Sequence, residues 1–123
     1  MLKKSITFED FNNNEITKDY YFHLSEAELI DLEMSQQESL EELIHKIVAE
    51  KDKVKIYSFF KKIVLLSYGI KSDDGLRFIK SEEITKEFVE TNAFSELMVE
   101  LLSNEEASAN FVKGIIPKKA QKQ

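Results

Sequence analysis

Tyr20-Tyr21-Phe22-His23-Leu24-Ser25-Glu26-Ala27-Glu28-Leu29 is where the chain changes period. Upstream, Ile16, Tyr20 and Phe22 alternate with Thr17, Asp19, Tyr21 and His23, the two-residue repeat of a half-buried strand. Leu2 to Phe8 forms a matching arm with Leu2, Ile6 and Phe8, and Asp10-Phe11-Asn12-Asn13-Asn14 between the arms is turn chemistry, because Asn tolerates the left-handed backbone of a bend. Residues 2–23 are therefore expected to form a β-hairpin. A two-stranded ribbon is marginal in water, so it must lie on the helices or extend a partner's sheet. From Leu24 onward the repeat is helical. Ser25 to Glu28 is a capping box, with Leu24 and Leu29 placed as a hydrophobic staple.

The rest of the chain continues in that mode. The first helix is expected to end near Met34. Ser39-Leu40-Glu41-Glu42 is a second capping box, ahead of the stripe Leu40, Leu43, Ile44, Ile47 and Val48. Asp52 caps a third helix running to Tyr68, whose apolar residues from Val54 to Leu66 cover more than one stripe and predict a central position. Gly69 is expected to close that helix in the left-handed conformation. Ser72-Asp73-Asp74-Gly75 reads as a turn, followed by a short extended piece, Leu76 to Ile79. Ser81 caps a fourth helix with Ile84, Phe88 and Val89, which continues or restarts near Thr91 into Phe94, Leu97, Met98, Leu101 and Leu102. Ser103-Asn104-Glu105-Glu106 reads as a third capping box, opening a last helix that Gly114 ends before Pro117. The expected fold is mostly α with an N-terminal β-hairpin: a compact bundle of about five helices in one domain, residues 1–117. Its helical part is 25–117, and 118–123 form a disordered basic tail.

With 123 residues and no cysteine, the chain has the size of one domain and no means of building disulfides or thiolate sites. No apolar run approaches the ~20 residues of a membrane span, and no signal-peptide pattern opens the chain. A cytosolic protein is expected. The net charge of −6 is unevenly spread. Residues 24–50 hold eight acids against Lys46, and 81–110 hold eight acids against Lys86, whereas 51–80 hold eight basic residues against Asp52, Asp73 and Asp74. This alternation suits internal packing, or assembly with copies and partners. An overall pI near 5.0 opposes a nucleic-acid partner.

The residues of catalysis are scarce. Glu42 and His45 have the Glu-x-x-His spacing of di-iron bundles, but those sites need two such motifs, and His23 has no matching Glu. Asp73-Asp74-Gly75 resembles part of a calcium loop, yet counting from its glycine puts Ile70 first and Ser81 twelfth, where carboxylates are required. No glycine-rich loop precedes a helix to cradle phosphate. No catalytic residue, cofactor or metal is expected, and the paired acids at helix starts serve the helix dipole. Nine Phe and four Tyr are many for this length, so they either fill a core of large residues or line a binding groove.

Taken in order, several blocks resemble a known family. They are Ile6-Thr7-Phe8-Glu9-Asp10-Phe11, the Tyr20 to Leu29 block, Ile47 to Asp52, Tyr68 to Ser81, Phe94-Ser95-Glu96-Leu97, and Phe111-Val112-Lys113-Gly114-Ile115-Ile116-Pro117. The loop block after Tyr68 and the Gly-Ile-Ile-Pro ending are the most specific. Over nearly its whole length the chain resembles the tail assembly chaperones of long-tailed bacteriophages and prophages of Gram-positive bacteria. The resemblance implies a non-enzymatic protein that binds the long, aggregation-prone tape measure protein, keeps it soluble while tail tube proteins assemble around it, and is absent from the mature virion. It also implies a longer form made by ribosomal frameshifting, for which Lys118-Lys119 is compatible with an A-rich slippery codon run. Self-association is a further possibility. The face expected to meet a partner is Phe94, Met98, Leu101, Leu102, Phe111, Ile115 and Ile116. Two alternatives stay open on the residues alone: a regulatory adaptor or antitoxin-like binding protein, and a virion head–tail component. Neighbouring genes would separate the first, and the protein content of purified particles the second.

Overall fold

The computed structural model describes residues 1–36 and 38–117; the expected tail, 118–123, lies outside them. The chain runs β1 (Leu2–Glu9), β2 (Glu15–Phe22), α1 (Glu26–Gln36), α2 (Leu40–Glu50), α3 (Lys53–Ser67), β3 (Tyr68–Lys71), β4 (Phe78–Ile79), α4 (Glu82–Val89), α5 (Asn92–Ser103) and α6 (Glu105–Ile115). It is a small α+β fold in which helices predominate. The expected hairpin is present, with Leu2 opposite Phe22 and Glu9 opposite Glu15. Asp10 organises its turn by accepting from the backbone N–H groups of Asn12 and Asn14, both at 2.9 Å. Asn13 takes the left-handed conformation, φ 66°.

The ribbon does not stand alone. β3 pairs antiparallel with the end of β2, and β4 with β3, giving a four-stranded sheet in the order β1-β2-β3-β4. The expected turn and extended piece between α3 and α4 are therefore part of a second small hairpin, β3 and β4, whose pairing with β2 the sequence did not reveal. Gly69 lies within β3 rather than capping α3, and Tyr68 before it is extended, φ −68° and ψ 142°. Long-range pairing overrides the helix-end signal: the His23 N–H donates to the Ser67 carbonyl at 2.8 Å, drawing the chain straight from α3 into the sheet. Gly69 is needed for a different reason. A Cβ there would stand 2.7 Å from the Phe78 ring and 2.9 Å from the Ile79 carbonyl oxygen. The left-handed glycine is Gly75, φ 75°, in the turn between β3 and β4.

The caps were mostly as expected. Ser25 and Glu28 form the full reciprocal box: the Ser25 N–H donates to Glu28 Oε1 at 2.9 Å, and the Glu28 N–H to Ser25 Oγ at 3.1 Å. Ser39, Asp52, Ser81 and Thr91 cap α2, α3, α4 and α5. Thr91 marks a restart, so the described residues form six helices. At α6 the cap is Asn104, not Ser103: Asn104 accepts from the Ala107 N–H, while the Ser103 hydroxyl bonds back to the Val99 carbonyl. Gly114 does not end α6 but lies within it, where a Cβ would come 2.8 Å from Leu2.

The core is an aromatic cluster joining sheet to helices. Phe22 is fully buried and touches Tyr68, Phe88 and Phe111, with ring centroids 5.7, 5.9 and 5.2 Å away. Tyr68 stacks on Phe88 at 4.3 Å, and Phe88 in turn meets Tyr20 and Phe94. Leu24, Ile63, Val64, Leu97, Leu101 and Ile115 pack around these rings. The Leu24 N–H donates to the Ile115 carbonyl at 2.9 Å, tying the end of α6 to the end of the hairpin.

Lys80 fastens the same junction from outside. Its ammonium donates to the carbonyls of His23 (2.8 Å) and Leu66 (2.7 Å) and to the Glu28 carboxylate (2.7 Å). One side chain thus links the end of the hairpin, the start of α1 and the end of α3. Burial alone would raise the Glu28 pKa, but the Lys80 ammonium and the Ser25 hydrogen bonds together hold it below the usual value. His23 is shifted down as well, chiefly by burial, and then by the N-terminal ammonium and Lys80.

Gly69→Ala should destabilise by ~1–3 kcal/mol, the usual cost of overpacking. Gly114→Ala should cost less, because the Leu2 side chain can give way and Ala recovers roughly 1 kcal/mol of helix propensity; urea unfolding of both variants checks the order. Glu28 and His23 both have folded pKa values below their unfolded ones. Their contributions are therefore complete above an imidazole's usual 6.5 and are lost as pH falls, first through the imidazole range and then through the carboxylate range. Lys80→Met should cost about 1–3 kcal/mol by removing the charged hydrogen bonds to Glu28 and to the part-buried His23 carbonyl and should flatten the carboxylate part of the pH–stability curve, which unfolding measured from pH 8 to 4 would reveal.

Candidate partner interface

The apolar residues divide sharply between those the fold covers and those it leaves open. Of the face expected to meet a partner, Phe94, Met98, Leu101, Phe111, Ile115 and Ile116 are buried. They form the inner surfaces of α5 and α6, against the aromatic cluster. Leu102 is the exception, 43% exposed on the outer side of α5. The structure brings the six together in the core, and in the folded monomer only Leu102 is accessible to another chain.

Exposed apolar side chains are spread over the fold, with Phe11 and Leu76 in the two hairpin turns and Val99 and Leu102 on α5; one group of five, Ile30, Met34, Val48, Val54 and Tyr57, belongs to α1, α2 and the first half of α3. In α2 only Leu40 is buried, while Leu43, Ile44 and Ile47 are half-buried and Val48 is exposed. Its stripe is regular but only partly covered by α3. In α1, Ile30 and Met34 stand four residues apart on one exposed face. At the start of α3, Val54 and Tyr57 are exposed, Val54 by 75%. Val48 and Val54 flank a tight connection between α2 and α3, where Lys51 is left-handed (φ 55°) and Asp52 accepts from the Val54 and Lys55 N–H groups.

This arm carries opposite charges on its two helices. Glu41, Glu42 and Glu50 are exposed on α2, and Lys53, Lys55 and Lys62 on α3. A Lys55–Glu50 pair at 2.9 Å bridges the turn. Such exposed pairs contribute little to stability, so the charges chiefly keep an apolar surface dissolved and set the sign of what can approach. The periodicity of α2 and the over-wide apolar arc of α3 were visible in the sequence. Whether the chain itself covers them was not.

Glu42 and His45 both lie on the solvated side of α2. His23 Nδ1 is buried without a hydrogen-bond partner among the described residues, with the ring edge-on to Phe78 at 6.0 Å. Burial favours the neutral imidazole there. Among the described residues no cluster of His, Asp or Glu is grouped to hold a metal ion, and no helix is long and apolar enough to cross a membrane.

Comparison with known proteins agrees with a binding role. No curated protein and no solved structure matches the chain. A family model described as phage tail assembly chaperone matches residues 1–123, the full length. The chain belongs to the phage tail assembly chaperone family.

Proposed function

We propose that this chain binds the tape measure protein of a long-tailed phage or prophage of a Gram-positive host, keeps it soluble in the host cytoplasm while tail tube proteins assemble around it, and leaves before the virion matures. It does so by binding, without catalysis. The observation that carries this reading is the half-covered stripe of α2, together with the exposure of Val54 and Tyr57 at the start of α3 and of Ile30 and Met34 on α1. A long helical rod with apolar stripes needs a partner of this kind: an amphipathic face that docks helix against helix, with charged flanks that stay in water. Individual contacts can be weak, because many copies along one rod add their affinities. Of the seven residues first expected at the interface, Leu102 remains a candidate as an outlying contact. The other six would be reached only by opening α5 and α6.

The test is co-expression of the chain with its cognate tape measure protein, reading the soluble fraction of the latter. The intact chain should raise that fraction several-fold, and Val48→Asp with Val54→Asp should abolish most of the gain. Both sites are exposed, so the variant should keep its fold and lose less than ~0.5 kcal/mol of stability. An unchanged soluble fraction with a folded double variant would remove the arm from the interface. No gain with the intact chain would remove the tape measure protein as the partner.

A further inference from the structure

β1 is an outer strand of the sheet, and its free edge can be worked out residue by residue. In an antiparallel ladder, alternate residues direct both backbone groups toward the neighbouring strand and the others direct them away. The Asp10 N–H donates to the Asn14 carbonyl across the hairpin at 2.8 Å. The even-numbered residues of β1 therefore face β2, and Lys3, Ser5, Thr7 and Glu9 face outward. Glu9 confirms the parity, because its carbonyl accepts from Asn92 Nδ2 on that outer side at 2.8 Å. The outward N–H and C=O groups of Lys3, Ser5 and Thr7 meet no partner among the described residues. Natural proteins usually blunt such an edge.

The edge is also the wall of a groove. α5 packs against β1, and between them lies a hollow of about 310 Å³ lined by Ser5, Ile6, Thr7, Glu96, Leu97, Val99 and Glu100. A second hollow of about 250 Å³ shares Glu100 and continues past Leu2 and Lys4 to Glu106 and Phe111. Val99, 64% exposed, is the most open apolar side chain along the first hollow. Charge decides what fits: Glu96, Glu100 and Glu106 line the two hollows against one base, Lys4, which is already paired with Glu100.

We propose that this groove accepts a short, extended, basic segment of a partner protein as an added strand beside β1. The backbone of Lys3 to Thr7 supplies the pairing, Val99 meets an apolar residue, and Glu96 and Glu106, which Lys4 does not neutralise, stand toward the two ends for cationic side chains. Five residues of strand span ~16 Å, the length of the free edge. The site is separate from the α1–α3 arm and stands whether or not the tape measure protein is the partner. Strand addition of this kind draws affinity from main-chain bonds and specificity from alternate side chains.

The test uses the full chain and the peptide acetyl-Lys-Thr-Val-Thr-Lys-amide, followed by amide NMR shifts and calorimetry. Binding is expected with a Kd on the order of 0.1–1 mM, with the largest shifts at the Ser5 and Thr7 amides. Replacing both Lys of the peptide by Glu, N-methylating its alternate pairing amides, or Glu96→Lys in the protein should each weaken binding at least ~10-fold. Ser5→Pro removes an outward donor without breaking a bond to β2; should it not fold, the N-methylated peptide asks the same question. Equal binding by the N-methylated peptide, shifts confined to other elements, or no binding at all would overturn the proposal. So would Ser5 and Thr7 amides already protected in the free protein together with a dimeric mass, because the edge would then be filled by a second copy.

Discussion

The contact of Phe22 with Tyr68, Phe88 and Phe111 is the constraint on which the other features rest. A two-stranded ribbon cannot hold itself in water, and this one is held because its last inward residue enters a cluster built from β3, α4 and α6. That single docking determines much else. It places Tyr68 where α3 must stop, brings β3 beside β2, and sets Leu24 against the end of α6. Lys80 then closes the junction from the solvent side with one ammonium shared among three elements.

The same docking consumes apolar surface unequally. The stripes of α5 and α6 are drawn into the aromatic cluster and leave little for a partner. α1 and α2 are attached at the margin, and their stripes remain partly open, with acids on α2 facing bases on α3. For the proposed role, binding and releasing a much larger apolar chain, this division is physically sensible. The sealed half keeps the fold intact during each cycle, and the open half can be covered and uncovered at small cost.

How much of this the sequence disclosed depends on the range of the interaction responsible. Caps act over three or four residues, so Ser25, Ser39, Asp52 and Ser81 were legible, while the restart at Thr91 was left open. The change from strand to helix at Leu24 was legible too. Gly69 and Gly114 were misleading, because both look like helix ends, whereas Gly69 serves the close approach of Phe78 across a turn and Gly114 that of Leu2 from the far end of the chain. The interface was the least legible part. Periodicity reveals that a helix face is apolar, but Phe94, Phe111 and Ile115 are covered by Phe22 and Leu24, and no local pattern records that pairing. The open edge of β1 was hidden for the same reason, since it depends on what α5 does not cover.

The central claim is that a partner is held on the α1–α3 arm while the aromatic core stays closed. Amide hydrogen exchange on the chain alone and in complex with the tape measure protein tests it most directly. Slower exchange should appear in α1, α2 and the first half of α3, with α5 and α6 unchanged. Faster exchange in α5 and α6 on binding, with the arm unaffected, would mean that the core itself opens to take the partner, and would contradict the account.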